Sequence, residues 1–177
     1  MNTFEAPAGV PPRVEDVFRH LDDLRTRTCE GADNWTERVA YFERAVELLD
    51  PVARRVLHET DAAFLDGSGE ITHHAGEEQN GGRWARWDLY WPAQHQAKSR
   101  HGGPVQPIQM MAVFGRGNTH PHLSGTTAGM WPCQVSSEAD ATRQEPIFRA
   151  IAEAELHQRI FEGGWQLVPA YARHHAQ

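Results

Sequence analysis

Cysteine is nearly absent from this 177-residue chain, which holds only Cys29 and Cys133. Two cysteines so far apart make neither a disulfide framework nor a CxxC metal unit, and neither is expected to be paired. Lysine is scarcer still: Lys98 is the single lysine among 17 basic residues. Acidic residues number 24, so the formal net charge is −7. Without a basic run the chain lacks the footprint needed to grip nucleic acid or an anionic membrane surface. No apolar run reaches the length of a membrane-spanning helix. The opening MNTFEAPAGVPPRVEDVF has no basic or apolar region of a secretory signal, so a cytoplasmic location is the expectation. There is no glycine-rich phosphate loop, no Gly-x-Ser-x-Gly elbow and no His-Glu-x-x-His, and no nucleotide cofactor is indicated.

What is present is globular in character. Hydrophobic residues make up 40%, with six tryptophans and seven phenylalanines, enough for one core at this length. Residues 1–12, rich in proline and alanine, read as an extended arm, and residues 13–177 as a single domain.

Val14, Val17, Phe18, Leu21 and Leu24 recur at helical spacing and form one face of a first helix. Asn34 with Glu37 three residues on is a capping box for a second. Asp50-Pro51 reads as the cap and first position of a third. Beyond the Asp66–Gly69 turn the period falls from 3.6 to 2. Residues 70–77 and 83–91 read as a hairpin around Asn80-Gly81-Gly82. In its second strand Ala85, Trp87, Leu89 and Trp91 face one way, and Trp84, Arg86, Asp88 and Tyr90 the other. Residues 92–104 read as a loop and 108–114 as a central strand. Further extended chain follows over 119–135, then a late helix from Pro146 to Gly163 and a last extended piece over 165–171. Helices segregated from strands mean an α+β fold. The expected form is three N-terminal helices, a curved antiparallel sheet with a ligand-sized concave face, and one late helix. The alternative is a small cupin-like β-barrel with helical decoration.

Polar chemistry concentrates in Asn118–Cys133. In extended chain His120 and His122 point to one face, about 7 Å apart, where two imidazoles can reach one metal or share proton transfer. The pair resembles the start of the cupin metal motif, in which a glutamate follows. Here Thr126 and Thr127 stand downstream, and the glycine-proline-histidine motif of that family is missing. A metal needs further ligands. Candidates are His73 or His74, Glu77, Glu78, and His157 with Glu153 one helical turn before it. His120, His122 and His157 are the leading metal set, for iron or zinc.

Arg86 and Asp88 form a second constellation, a carboxylate base oriented by a guanidinium and flanked by Trp84 and Tyr90. It also reads as an ion pair on a half-exposed strand. Arg116 could bind a carboxylate, and Trp131 adds an aromatic wall. Cys133 reads as a small buried hydrophobe.

These residue types suit a small enzyme acting on an apolar or aromatic small molecule, with His120, His122, Arg86 and Asp88 as the catalytic set. Trp84, Tyr90, Arg116 and Trp131 would bind the substrate. The alternative is a non-catalytic ligand-binding module or an oligomer subunit. The amphipathic N-terminal helices are compatible with homodimerisation.

Overall fold

A computed structural model describes residues 13–127 and 129–175. The expected arm, residues 1–12, lies outside the described residues.

Helix α1 (Val14–Thr26) ends where Arg27 turns left-handed at φ 57°. Helix α2 (Trp35–Phe64) begins at Asn34, whose side chain accepts from Glu37 N at 3.0 Å, as the sequence anticipates. It does not break at Asp50-Pro51: one helix spans both expected segments, with Pro51 inside it. Proline removes one helical hydrogen bond. Leu49, Val52, Ala53 and Val56, on both sides of Pro51, are buried in the core and hold the helix through it. Asp50 serves elsewhere than as a cap, accepting from Trp87 Nε1 at 2.8 Å and from Arg54 Nε at 2.9 Å.

The sheet is an antiparallel meander of β1 (Glu70–Glu77), β2 (Arg83–Tyr90), β3 (Ile108–Phe114), β4 (His122–Ser124) and β5 (Trp131–Pro132), in spatial order 1-2-3-4-5. It is open, so the barrel alternative falls. Its last strands have three and two residues, and prolines at 121 and 132 withhold the donors that closure needs. Alternation on β2 holds: Ala85, Trp87 and Leu89 are fully buried. With Ile108, Met110, Ala112 and Phe114 of β3 they form the face on which α2 and helix α5 (Glu145–Gly163) pack.

Several other segments are helical, Pro92–Gln96 where a loop was expected and the last segment where extended chain was expected. Pro92–Gln96 forms the short helix α3, and Ser137 caps α4 (Glu138–Arg143) by accepting from Asp140 N at 3.1 Å. The last segment is a 3₁₀ turn (Trp165–Leu167) and α6 (Pro169–His175), not a strand. Pro169 begins α6, where a missing N–H costs nothing. Trp91 Nε1 donates to Leu167 O at 2.7 Å and ties that turn to the sheet. The architecture is therefore mixed α+β, with two helices before the sheet rather than three and several after it.

Helix α1 sits in an unusual way. An apolar stripe normally faces the core, yet Val14, Val17, Phe18, Leu21 and Leu24 are 46–62% exposed. The opposite, charged face is the one applied to the body. Asp16 pairs with Arg143, Arg19 with Glu30 and with Asp140, and Asp23 with His120.

Candidate functional site

The turn after α1 builds the densest polar cluster. Glu30 adopts φ 52°, a left-handed conformation uncommon for a residue with a side chain, and Gly31 follows at φ 86°. The tight turn aims Glu30 N at the Asp23 carboxylate, 3.0 Å from Oδ2, while Thr28 Oγ1 donates to Oδ1 at 3.2 Å. From the other side the buried His120 ring places Nε2 2.7 Å from Asp23 Oδ2. An ionised carboxylate only accepts, so Nε2 is the donor. Its length is that of a charge-assisted bond.

His20, one turn before Asp23 on α1, meets His120 edge to face with centroids 5.0 Å apart. Burial and the neighbouring His120 hold His20 below the ordinary histidine range, against the opposing pull of Asp23. Gln134 steadies this stretch of α1. With its amide turned so that both ends are satisfied, it donates to Asp16 O at 2.9 Å and accepts from His20 N at 3.0 Å. Burial works against the Arg19 charge, but hydrogen bonds to Glu30 and Asp140 outweigh it and raise its pKa.

Donor atoms of Asp23, Glu30 and His120 all lie within 4.8 Å of one another, close enough to hold one cation. Two oxygens and one nitrogen are a donor set that iron, manganese or zinc accepts. All three side chains are engaged without a metal, however: Asp23 as described, and Glu30 by Arg19 and by Ser136 Oγ at 3.3 Å. The two cysteines are buried beside this cluster. Burial, then the Asp23 and Glu30 charges, push the Cys29 thiol up to about 12, and burial raises Cys133 as well. Neither is a ready thiolate.

A groove of about 600 Å³ opens beside His20, with Val17, Trp131, Pro132 and Ile147 among its walls. Gln144 also lines it, and its side-chain oxygen, buried, has no hydrogen-bond partner among the described residues. A larger groove of about 740 Å³ lies between α2, α5 and α6, walled by Phe64, Leu156, Trp165 and Tyr171. On its rim Arg149 pairs with Glu59 and Glu145, and His157 lies 3.9 Å from Glu153.

The other sequence candidates are dispersed. Strand β4 begins only at His122, so strand alternation does not extend to His120, which turns to α1. His122 pairs across the sheet with Val113, and burial lowers its pKa. Neither His122 nor His157 belongs to the group that gathers around His120. Asp88 is completely buried, accepting from Arg86 Nε at 2.8 Å and Gln109 Nε2 at 3.0 Å. Trp84 covers Gly76, where a Cβ would come within 2.8 Å of the indole. Tyr90 stacks on His95, and Arg116 lies 5.3 Å above the Trp35 ring. Of the aromatic candidates Trp131 lines the groove beside His20. Thr126 and Thr127 hold no metal-motif glutamate of their own. Instead they bind Glu155 of α5 through Thr126 N at 2.7 Å and Thr127 N at 3.1 Å.

Sequence reasoning missed His20, Asp23, Glu30 and Gln144. The available signal was the grouping of Asp16, Arg19, His20 and Asp23 on the α1 face opposite its apolar stripe. No protein-family model matches the chain, and comparison with curated proteins and with solved structures finds no match. No helix among the described residues is long and apolar enough to cross a membrane.

Proposed function

We propose that the protein is a small enzyme that binds an apolar or aromatic molecule carrying a hydroxyl or amine hydrogen in the groove beside α1, with His20 as proton acceptor. The observation that carries this reading is the meeting of His20 and Gln144 in the wall of one apolar groove. His20 is held below its ordinary pKa and is neutral near pH 7, the form that accepts a proton. The Gln144 side-chain oxygen is buried and unpartnered at the same groove. A buried acceptor such as the Gln144 oxygen calls for a donor, and the groove volume is that of a small-molecule site. His120 and Asp23 are positioning residues: Asp23 fixes the His120 ring, and that ring packs against His20 and weakens its hold on a proton. A base so placed contributes roughly 10²–10⁴-fold to a proton transfer.

Phenol and toluene are the discriminating probes, titrated to roughly millimolar concentration while the His20 imidazole and Gln144 amide are followed by NMR. Phenol is expected to shift both signals, and Gln144→Leu to weaken phenol while sparing toluene. Absence of any shift at either residue in the folded protein would sink the proposal.

A second reading rests on the 4.8 Å grouping of Asp23, Glu30 and His120. In it the cluster binds a divalent cation, displacing Arg19 from Glu30 and His120 from its hydrogen bond. Zinc and manganese titrations followed by calorimetry decide this reading. Uptake of one ion, lost in Glu30→Gln, would favour the metal centre over the acid–base site.

A further inference from the structure

We propose that the groove between α2, α5 and α6 binds a small alkylammonium ion, held by aromatic ring faces and by the Glu153 carboxylate. This groove shares no wall residue with the one beside His20, so the inference stands apart from the acid–base reading.

The walls come from three helices and the turn between them. Phe64 is the last residue of α2, Leu156 and Ile160 lie one turn apart on α5, Trp165 opens the 3₁₀ turn and Tyr171 belongs to α6. Phe64, Trp165 and Tyr171 are 45%, 52% and 49% exposed. One half-exposed ring is ordinary. Three of them line a single concavity of about 740 Å³, within the size range of small-molecule sites. The Trp165 and Tyr171 centroids are 6.0 Å apart with planes at 66°, so the rings make adjoining walls rather than a stack. Ring faces carry the negative part of the aromatic quadrupole and attract a cation, the indole most strongly.

The charges around the groove select the same ligand. Arg149 and Arg55 share Glu59 and Glu145, which cancel them. Arg173 of α6 is paired with Asp66. The last turn of α2, which ends at Phe64, holds no basic residue, so its carbonyl end keeps a partial negative charge. Glu153 lines the groove, is 76% exposed and has no arginine or lysine partner among the described residues. Its neighbour His157 lies 3.9 Å away, beyond hydrogen-bond reach. An anionic ligand would be repelled by Glu153, and a neutral one would leave that carboxylate without a counter-charge. An alkylated nitrogen spreads its charge over methyl groups that pack on the rings, whereas a bare ammonium is strongly hydrated.

Choline and its neutral carbon isostere 3,3-dimethylbutan-1-ol test the proposal. Each is titrated into the full chain to about 50 mM while the tryptophan indole N–H signals are followed by NMR. A pH near 8, above the ordinary histidine range, is used because His157 and His174 also line the groove. Choline is expected to shift the Trp165 signal and to bind about tenfold more tightly than the alcohol. Trp165→Leu keeps apolar bulk but removes the ring face. It should weaken choline about tenfold and leave the alcohol unchanged. Glu153→Gln should weaken choline about threefold, and the exposure of that side chain keeps the fold out of the comparison. Choline that fails to bind, or binds no more tightly than the alcohol, overturns the proposal; in the latter case the groove is one for neutral apolar ligands. An unchanged choline affinity in either folded variant also overturns it.

Discussion

Asparagine in place of Asp23 should loosen α1 without unfolding the domain. Asp23 accepts from His120 Nε2 at 2.7 Å, from Glu30 N at 3.0 Å and from Thr28 Oγ1 at 3.2 Å. The Asp23→Asn side chain would keep an oxygen for the turn but set an amide N–H₂ against the His120 donor. The bond lost is charge-assisted, worth about 1.5–3 kcal/mol, and the buried imidazole is left without an acceptor. The total is about 3 kcal/mol, and each ~1.4 kcal/mol is tenfold in an opening equilibrium. Because the apolar stripe of α1 faces outward, little hydrophobic burial holds the helix down. The loss should therefore appear as local opening. Amide hydrogen exchange over residues 14–26 is expected to accelerate about 100-fold, with the core of α2 and β2 unchanged. Asp22→Asn is the control. That carboxylate is 70% exposed in its 3.2 Å pair with Arg25, and surface pairs contribute little. If both variants exchange alike over α1, the Asp23–His120 clasp is not what holds the helix.

Glu155 is wholly buried and holds both Arg159, at 2.6 Å, and the Thr126–Thr127 turn. Glu155→Ala should cost about 3–5 kcal/mol, because Arg159 is left charged and buried, while Glu155→Leu with Arg159→Met should recover only part of that, because the Thr126 and Thr127 N–H groups still lose their acceptor. With an m-value near ~2 kcal/mol/M, the single change moves the urea midpoint down by about 2 M, and a shift under a quarter of that would refute the account. His20, His73 and His122 all have folded pKa values lowered from 6.5, chiefly by burial. The unfolded chain then binds more protons, so stability is full above about pH 7 and falls as the pH drops through about 6.5, levelling below the folded values. His122→Gln should make that decline shallower in urea midpoints taken at several pH values, and an unchanged slope would exclude His122 as a contributor.

Much of the fold was readable one element at a time. Asn34 and Glu37 mark a helix start because the orphan N–H groups there need an oxygen, and that requirement is local. Alternation on β2 reveals its buried face because the pleat imposes a period of two. Asp50-Pro51 misled because a cap followed by proline is a helix start only where packing on both sides does not hold the helix together. The Trp165–Tyr171 aromatics resembled a strand but coil into a turn and a helix, because Trp91 claims the Leu167 carbonyl.

The candidate site was much less legible. Its members come from α1, the turn at Glu30, the bend before β4 and the start of α5, and no spacing rule links such distant positions. His120 was visible as a histidine beside a proline, but its partner, some hundred residues away, was not. Likewise Gln144 looked like an ordinary polar residue until a groove formed around it.

Composition and periodicity alone settled the α+β character, the start of α2 and the buried face of β2, since these follow from short-range sterics. Tertiary structure alone decided that the sheet stays open and that α1 turns its charges inward. It also decided that His120 meets Asp23 rather than His122. Those outcomes turn on which distant side chains come within about 3 Å of each other, a condition that the folded arrangement of the whole chain creates.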